Sequence, residues 1–272
     1  MQITTSPAQG IEEAENDRKE CGLKIWRYID LAKFVSMLAT RSLYFACTSQ
    51  MPDPYEGWLP RSHIDAMMGL TRTYLDQLKN TRDSILAQQP NRDPAPLDAI
   101  LEDAQRKLDF QTMWRDVNIK FGLNCWHINE DESEAMWRLY GAAGNGIAIE
   151  STEDRLKSVL RCANGINVDR VRYMDFDRDE IEKGHRHYGL FIKRKSFAHE
   201  QELRATILLP TPGMGTLVPC DIDALIAKIH ISPEAPSFYA DTVRYIIERA
   251  DIEITAPVLQ SKLLEGPISP SA

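Results

Sequence analysis

Three short stretches hold the residues whose types and spacing suit chemistry. In Ser196-Phe197-Ala198-His199-Glu200-Gln201-Glu202-Leu203-Arg204, an extended backbone turns Glu200, Glu202 and Arg204 one way and Gln201, Leu203 and Ala205 the other. Two carboxylates on one face raise each other's pKa unless a cation lies between them. Arg204 and Lys195 are the cations at hand. A solvated sheet edge would show the same alternation.

The second stretch runs Cys125-Trp126-His127-x-Asn129-Glu130-x-Glu132-Ser133-x-x-Met136-Trp137-x-x-Tyr140. Here a strand delivers polar groups into a turn, and a helix starts at Glu132 or Ser133. His127, Asn129 and Glu132 sit where a strand end meets a helix N-terminus, a place that suits anions. The plainer reading, a capped helix with core aromatics, is preferred for Trp126, Trp137 and Tyr140. The third stretch is Arg27-Tyr28, in a strand otherwise made of Ile25, Trp26 and Ile29. An arginine buried there needs a carboxylate or a phosphate. A salt bridge to Glu202 or Asp53 would serve structure; a clamp on a phosphate-bearing ligand would serve function.

Other motifs are thin. His185-x-His187 lacks a third ligand nearby, so no metal is expected there. No glycine-rich phosphate loop, G-x-S-x-G elbow or H-E-x-x-H occurs. The run Lys193-Arg194-Lys195 reads as a solvated face or a local basic groove.

The elements that must position these residues follow from apolar spacing. Residues 23–29 read as a strand, Asp30 as the cap of a helix through Leu31, Phe34, Val35 and Leu38, and residues 42–46 as a second strand. Residues 61–118 read as two long helices joined by the proline-rich QPNRDPAP, a helical hairpin inserted into a sheet domain and packed on its core. Residues 121–126 form a strand, 132–142 a helix, and 146–151 a strand ending at Ser151-Thr152, one of which caps the next helix. Further strands are expected at 168–174, 203–209, 217–220, 225–231 and 253–259, with a helix near 237–249. Strands and helices without a regular βαβ repeat predict α+β, with a mixed, mainly antiparallel sheet.

At 272 residues the chain suits one core with an insertion. Residues 1–21 read as a flexible leader, 22–265 as a single domain, and 266–272 as a flexible tail. The polar, acidic opening lacks a signal-peptide pattern, and no apolar run reaches the roughly 18 residues of a membrane span. Five widely spaced cysteines without a CxxC pair fit a reducing compartment, so a cytoplasmic protein is expected. The net charge of −8 argues against nucleic-acid binding by the whole surface.

The strings KIWRYIDLAKFVSML, SLYFA…MPDPYEG, NCWHINEDESEAMWRLYG, GIAIEST, KRKSFAHEQELRA and LIAKIHISPEAP resemble the bacterial family catalogued as domain of unknown function 2971, across residues 23–262. That resemblance carries no reaction with it. A second resemblance does. Arg27, Ser151-Thr152 and Glu200-x-Glu202 are similar, in order, to the site of arginine–serine–glutamate ADP-ribosyltransferases. It implies NAD as substrate and a protein or nucleic acid as acceptor, in bacterial defence or toxin function. Arg27 would hold the NAD phosphates beside Tyr28 and His127, and Ser151 and Thr152 would support the nicotinamide side. Glu202 would bind the ribose 2′-hydroxyl and stabilise an oxocarbenium-like transition state, while Glu200 orients the acceptor. Glu153 departs from the family's Ser-Thr-Ser. Two alternatives stand beside it: a metal-dependent phosphodiesterase or nuclease using Glu132, Glu200, Glu202 and Lys195, and a non-enzymatic module whose insertion binds a partner or a second copy.

Overall fold

The computed structural model describes residues 22–141, 144–181, 188–250 and 253–266. The expected leader, the tail beyond residue 266, and His185 and His187 lie outside the described residues.

The chain opens with β1 (Lys24–Asp30), α1 (Leu31–Thr40) and β2 (Ser42–Cys47). Asp30 caps α1 by accepting from the Lys33 amide, and the helix buries Phe34, Met37 and Leu38, one apolar stripe. After a loop come α2 (Arg61–Gln88), α3 (Ala95–Lys107) and α4 (Phe110–Asn118). The sheet resumes with β3 (Phe121–Ile128), α5 (Glu134–Tyr140), β4 (Gly146–Thr152), α6 (Glu153–Leu160), β5 (Asn167–Arg170) and β6 (Arg172–Met174). The remaining elements are β7 (Ile192–Arg194), β8 (Glu202–Leu208), β9 (Thr216–Pro219), α7 (Ile222–Leu225), β10 (Lys228–Ile231), α8 (Tyr239–Arg249) and β11 (Val258–Gln260).

The architecture is α+β. Among the described residues one nine-stranded sheet runs β11-β10-β4-β1-β3-β2-β9, with β8 also on β3 and β5 on β8; β6 and β7 form a separate pair. Only β10–β11 and β6–β7 are parallel. One sheet face carries Ile25, Trp126, Ile149, Leu203 and Ile229 into the main core with Phe34, Leu156 and Val243 from the helices. On the other, Trp26, Tyr28 and Ala148 meet Met136 and Trp137 of α5. Register fixes which side chains share that second face: Trp26 lies opposite His127, and His127 opposite Glu202.

Five expectations need correcting. Glu200 is not on a strand; it ends a 3-10 segment, Lys195–Glu200, and Gln201 follows in the left-handed region with φ 39°. The two glutamates therefore meet around a tight backbone reversal and not through strand alternation. The second insertion helix breaks into α3 and α4, because Leu108 leaves helical geometry at the end of α3. Residues 167–174 split between two sheets, and the last strand shrinks to three residues. Finally, no residue of α2 or α3 is buried, so these two helices project from the core instead of packing on it.

A candidate active site at a gap in the sheet

The site exists because two strands share one edge of β3 in tandem. β1 pairs there through Ile25–Ile128 and Trp26–His127, and β2 through Ala46–Leu123 and Cys47–Gly122. Asn124, Cys125 and Trp126 have no strand partner on that edge, which leaves backbone groups to be satisfied by other means. Side chains do it. Asn124 Nδ2 donates to the Tyr44 carbonyl at 2.9 Å, and Arg27 Nη1 donates to the Cys125 carbonyl at 2.9 Å. A cleft of about 260 Å³ opens at this gap, lined by Arg27, Tyr28, His127, Tyr140, Glu200 and Glu202 among others.

Its acidic end is a buried ion cluster. Lys193 Nζ donates to Glu200 Oε2 and, at 2.7 Å, to Glu202 Oε1. Arg204 Nε reaches Glu202 Oε2 at 2.7 Å, and its two terminal nitrogens grip Glu56 at 2.5 and 3.0 Å. Arg204 is 0% exposed, Glu200 5% and Glu202 6%. Such a cluster persists only because nearly every charge has an opposite within bonding distance. Tyr140 donates its hydroxyl to Glu200 Oε1 at 2.8 Å, and Tyr173 accepts the Glu202 amide at 2.8 Å.

The two glutamates differ in what surrounds them. Burial raises the Glu200 carboxyl, and its hydrogen bond to Glu202 raises it further, against the pull of Lys193. Burial would raise Glu202 too, but the Arg204 charge, the Glu200 and Arg204 hydrogen bonds and Lys193 together hold it well below the usual carboxylate range. Their surroundings thus drive the two carboxyls apart, Glu200 upward and Glu202 downward. Neighbouring carboxylates with pKa values driven apart are the arrangement that acid–base catalysis uses.

Arg27 lines the same cleft. Neither expected salt bridge forms: Glu202 belongs to Lys193 and Arg204, and Asp53 accepts from Arg194 Nη2 at 2.6 Å. Among the described residues no carboxylate lies within ion-pair reach of Arg27. Its guanidinium sits 5.8 Å from the Trp126 ring, and burial lowers its pKa. It also bonds the Cys125 carbonyl. A cation with no carboxylate partner among the described residues suits an anion.

His127 is 4% exposed and shares its Nδ1 with the Glu200 carbonyl at 2.7 Å, so Nδ1 carries the hydrogen and Nε2 is a lone pair. Burial lowers its pKa and favours this neutral form. Of the seven residues singled out from sequence, Arg27, Tyr28, His127, Glu200 and Glu202 line the cleft; Ser151 and Thr152 do not. Ser151 shares a face with Ile25 on the core side and donates to the Leu225 carbonyl at 2.5 Å. Thr152 caps α6 through the Arg155 amide. Glu132 belongs to another cluster, where His230 lies between Glu132 (3.5 Å) and Glu150 (2.9 Å) and Trp137 donates to Glu132 at 2.9 Å.

The cation between the carboxylates is Lys193; Lys195 pairs with Asp179 at 3.2 Å instead. In sequence Lys193 is hidden in a basic run on a three-residue strand. Glu56 carries no sequence signal at all, since it reaches Arg204 from a loop 148 residues away. That loop is held at Gly57, whose φ of 76° suits glycine and whose carbonyl accepts from Trp114 and Asn118. A larger hollow of about 540 Å³ lies against the loop, but its carboxylates, Asp53 and Glu56, are committed to Arg194 and Arg204. The smaller cleft holds the reactive arrangement. Among the described residues no group of three or more His, Cys, Asp or Glu is set to hold a metal ion, and no helix is long and apolar enough to cross a membrane.

No family model matches the chain, and no curated protein or solved structure matches it either.

Proposed function

We propose that the cleft binds NAD and breaks the bond between the nicotinamide ring and its ribose, as an ADP-ribosyltransferase-like protein or an NAD glycohydrolase. The observation that supports this is the pairing, in one cleft, of a split-pKa glutamate pair with a carboxylate-free arginine. Arg27 holds the phosphates. Glu202, an anion fixed by Lys193 and Arg204, faces the positive charge that develops on the ribose as the C–N bond breaks and its electron pair moves to the ring. Glu200, once ionised, takes the proton of the attacking water or acceptor group. The cleft is below the usual size for drug-like ligands, about 300 Å³ and above, so it takes the nicotinamide ribose and leaves the adenylate end along the surface. Ser151 has no part in this scheme, which departs there from the arginine–serine–glutamate pattern. The reading places the protein in the cytoplasm, acting on a protein or nucleic-acid acceptor in bacterial defence or as a toxin; the free thiols of Cys47, Cys125, Cys162 and Cys220 fit that compartment.

Incubation with labelled NAD tests it. Nicotinamide should be released or a macromolecule modified, and Glu202→Gln should lower turnover by about 100-fold or more, the scale of one lost electrostatic contact. No turnover with any acceptor class, or full turnover in Glu202→Gln, removes the proposal.

One observation favours a second role. With no buried residue in α2 or α3 and with Leu70, Tyr74 and Ile100 exposed, the insertion is suited to binding a partner or a second copy. Excision of the arm should then change the mass in solution or abolish partner binding; no change in either discards this role.

A further inference from the structure

The acidic end of the cleft has a charge imbalance that one proton corrects. Lys193 and Arg204 face Glu56, Glu200 and Glu202, two cations against three carboxylates, all buried. With all three carboxylates charged the cluster carries one net negative charge, and one proton makes it neutral; Glu200, which Arg204 does not touch, is the carboxyl left to take it. Among the described residues no other group facing Glu200 supplies a positive charge. Tyr140 from α5 is a neutral donor, His127 from β3 gives only a ring N–H to the Glu200 carbonyl, and Cys125 is a thiol kept protonated by burial. His199, next in the chain, is exposed. Beside the cluster the walls are aromatic, with Trp26, Tyr28 and Tyr140, and Arg27 lines the same cleft.

We propose that the cleft takes a zwitterionic ligand, a flat cationic head at the Tyr140–Glu200 end and an anionic group on Arg27, and that arrival of the head expels the Glu200 proton to solvent. The inference rests on placing the working site in this cleft. The ligand's fixed positive charge replaces the proton's, so the buried cluster plus ligand head stays neutral. Aromatic faces attract the head through their quadrupoles, and a neutral head gains neither effect. For a pyridinium nucleotide the consequence is specific: Glu200 becomes a base only when the ligand is seated.

Calorimetric titration of the full chain, in two buffers of different ionisation heat, tests the idea with nicotinamide and its N-methylated pyridinium cation. The cation should bind about tenfold tighter, a difference of roughly 1.4 kcal/mol. Proton release should be largest on the acidic side and vanish at alkaline pH, where Glu200 is already ionised. Glu200→Gln, with its fold checked by thermal melting, should bind without release. Arg27→Met touches no member of the buried cluster; it should weaken nicotinamide mononucleotide about tenfold and leave the phosphate-free cation unaffected. Equal affinity for the two heads, or cation binding without proton release at any pH, overturns the inference. NAD turnover separates it from the reading above. Proton-linked cation binding without turnover keeps the inference and rejects NAD cleavage, whereas turnover without cation preference does the opposite.

Discussion

Arg204 is the residue on which the buried cluster depends, because it is the only partner that touches both Glu56 and Glu202 through paired bonds. Arg204→Met keeps most of the volume and leaves Lys193 as the single cation facing three buried carboxylates among the described residues. The expected loss is about 3–5 kcal/mol of stability, measured by urea unfolding. Acidity acts on the same cluster with a definite sign. The Glu202 carboxyl is held well below its ordinary value in the fold. Its contribution is therefore complete above the ordinary glutamate range of about 4.3 and is lost as pH falls through the depressed folded value. Glu200 runs the other way, since its folded value is raised. Its contribution falls as pH rises from the ordinary glutamate value through the raised folded one, and that decline should be absent in Glu200→Gln. His230 belongs to a separate cluster. Burial alone would lower its pKa, but hydrogen bonds and charge from Glu132 and Glu150 outweigh it and the value is raised. Its stabilisation is present below the unfolded value of about 6.5 and disappears as pH climbs through the folded one. A stability–pH curve of His230→Leu parallel to that of the natural protein across this window would show that the clamp contributes nothing.

Elements were legible in sequence where local rules decide, and illegible where tertiary geometry does. Asp30 as the cap of α1 and Thr152 as the cap of α6 follow from side-chain chemistry within four residues, and both are found. The Glu200 conformation was not legible: alternation of charge in Glu200-x-Glu202-x-Arg204 looks like a strand, yet the backbone reverses at Gln201. Lys193 and Glu56 were missed for a related reason, since their partners are defined by how β7 and the loop before α2 dock on β8. The gap between β1 and β2 along β3 is likewise a matter of register and leaves no mark on composition. The sequence reads residues 61–118 as an inserted hairpin packed on the core, whereas α2 and α3 bury no residue. The arm's amides should exchange with solvent much faster than those of β1, β3 and β4, because no packed side chain holds it closed. Hydrogen-exchange mass spectrometry reads this directly; protection in α2 equal to that of the strands would place it within the core's cooperative unit.

Over the whole molecule, the sheet ties distant parts of the sequence into one body. β10 sits on β4, β8 on β3 and β9 on β2, so β2, β3 and β4 each have a neighbour from the last 71 residues. Heat should accordingly melt the sheet in one cooperative transition, with far-UV and near-UV signals coincident. Two resolved transitions, with the arm's helices already accounted for, would show that the halves of the sheet are independent.

That interleaving has a meaning for the order in which the chain is made. A ribosome extends the polypeptide from its N-terminus at about 5–20 residues each second, and β1 to β4 emerge long before β8, β9 and β10 exist. Until Glu202–Leu208 is released, β3 presents a bare hydrogen-bonding edge, and Trp126 and Ile149 lack the apolar neighbours that later cover them. The nascent chain is therefore exposed to association with its neighbours for most of its synthesis. Chains stopped before residue 202 are expected to collect in the insoluble fraction, while those extended past β10 remain in solution.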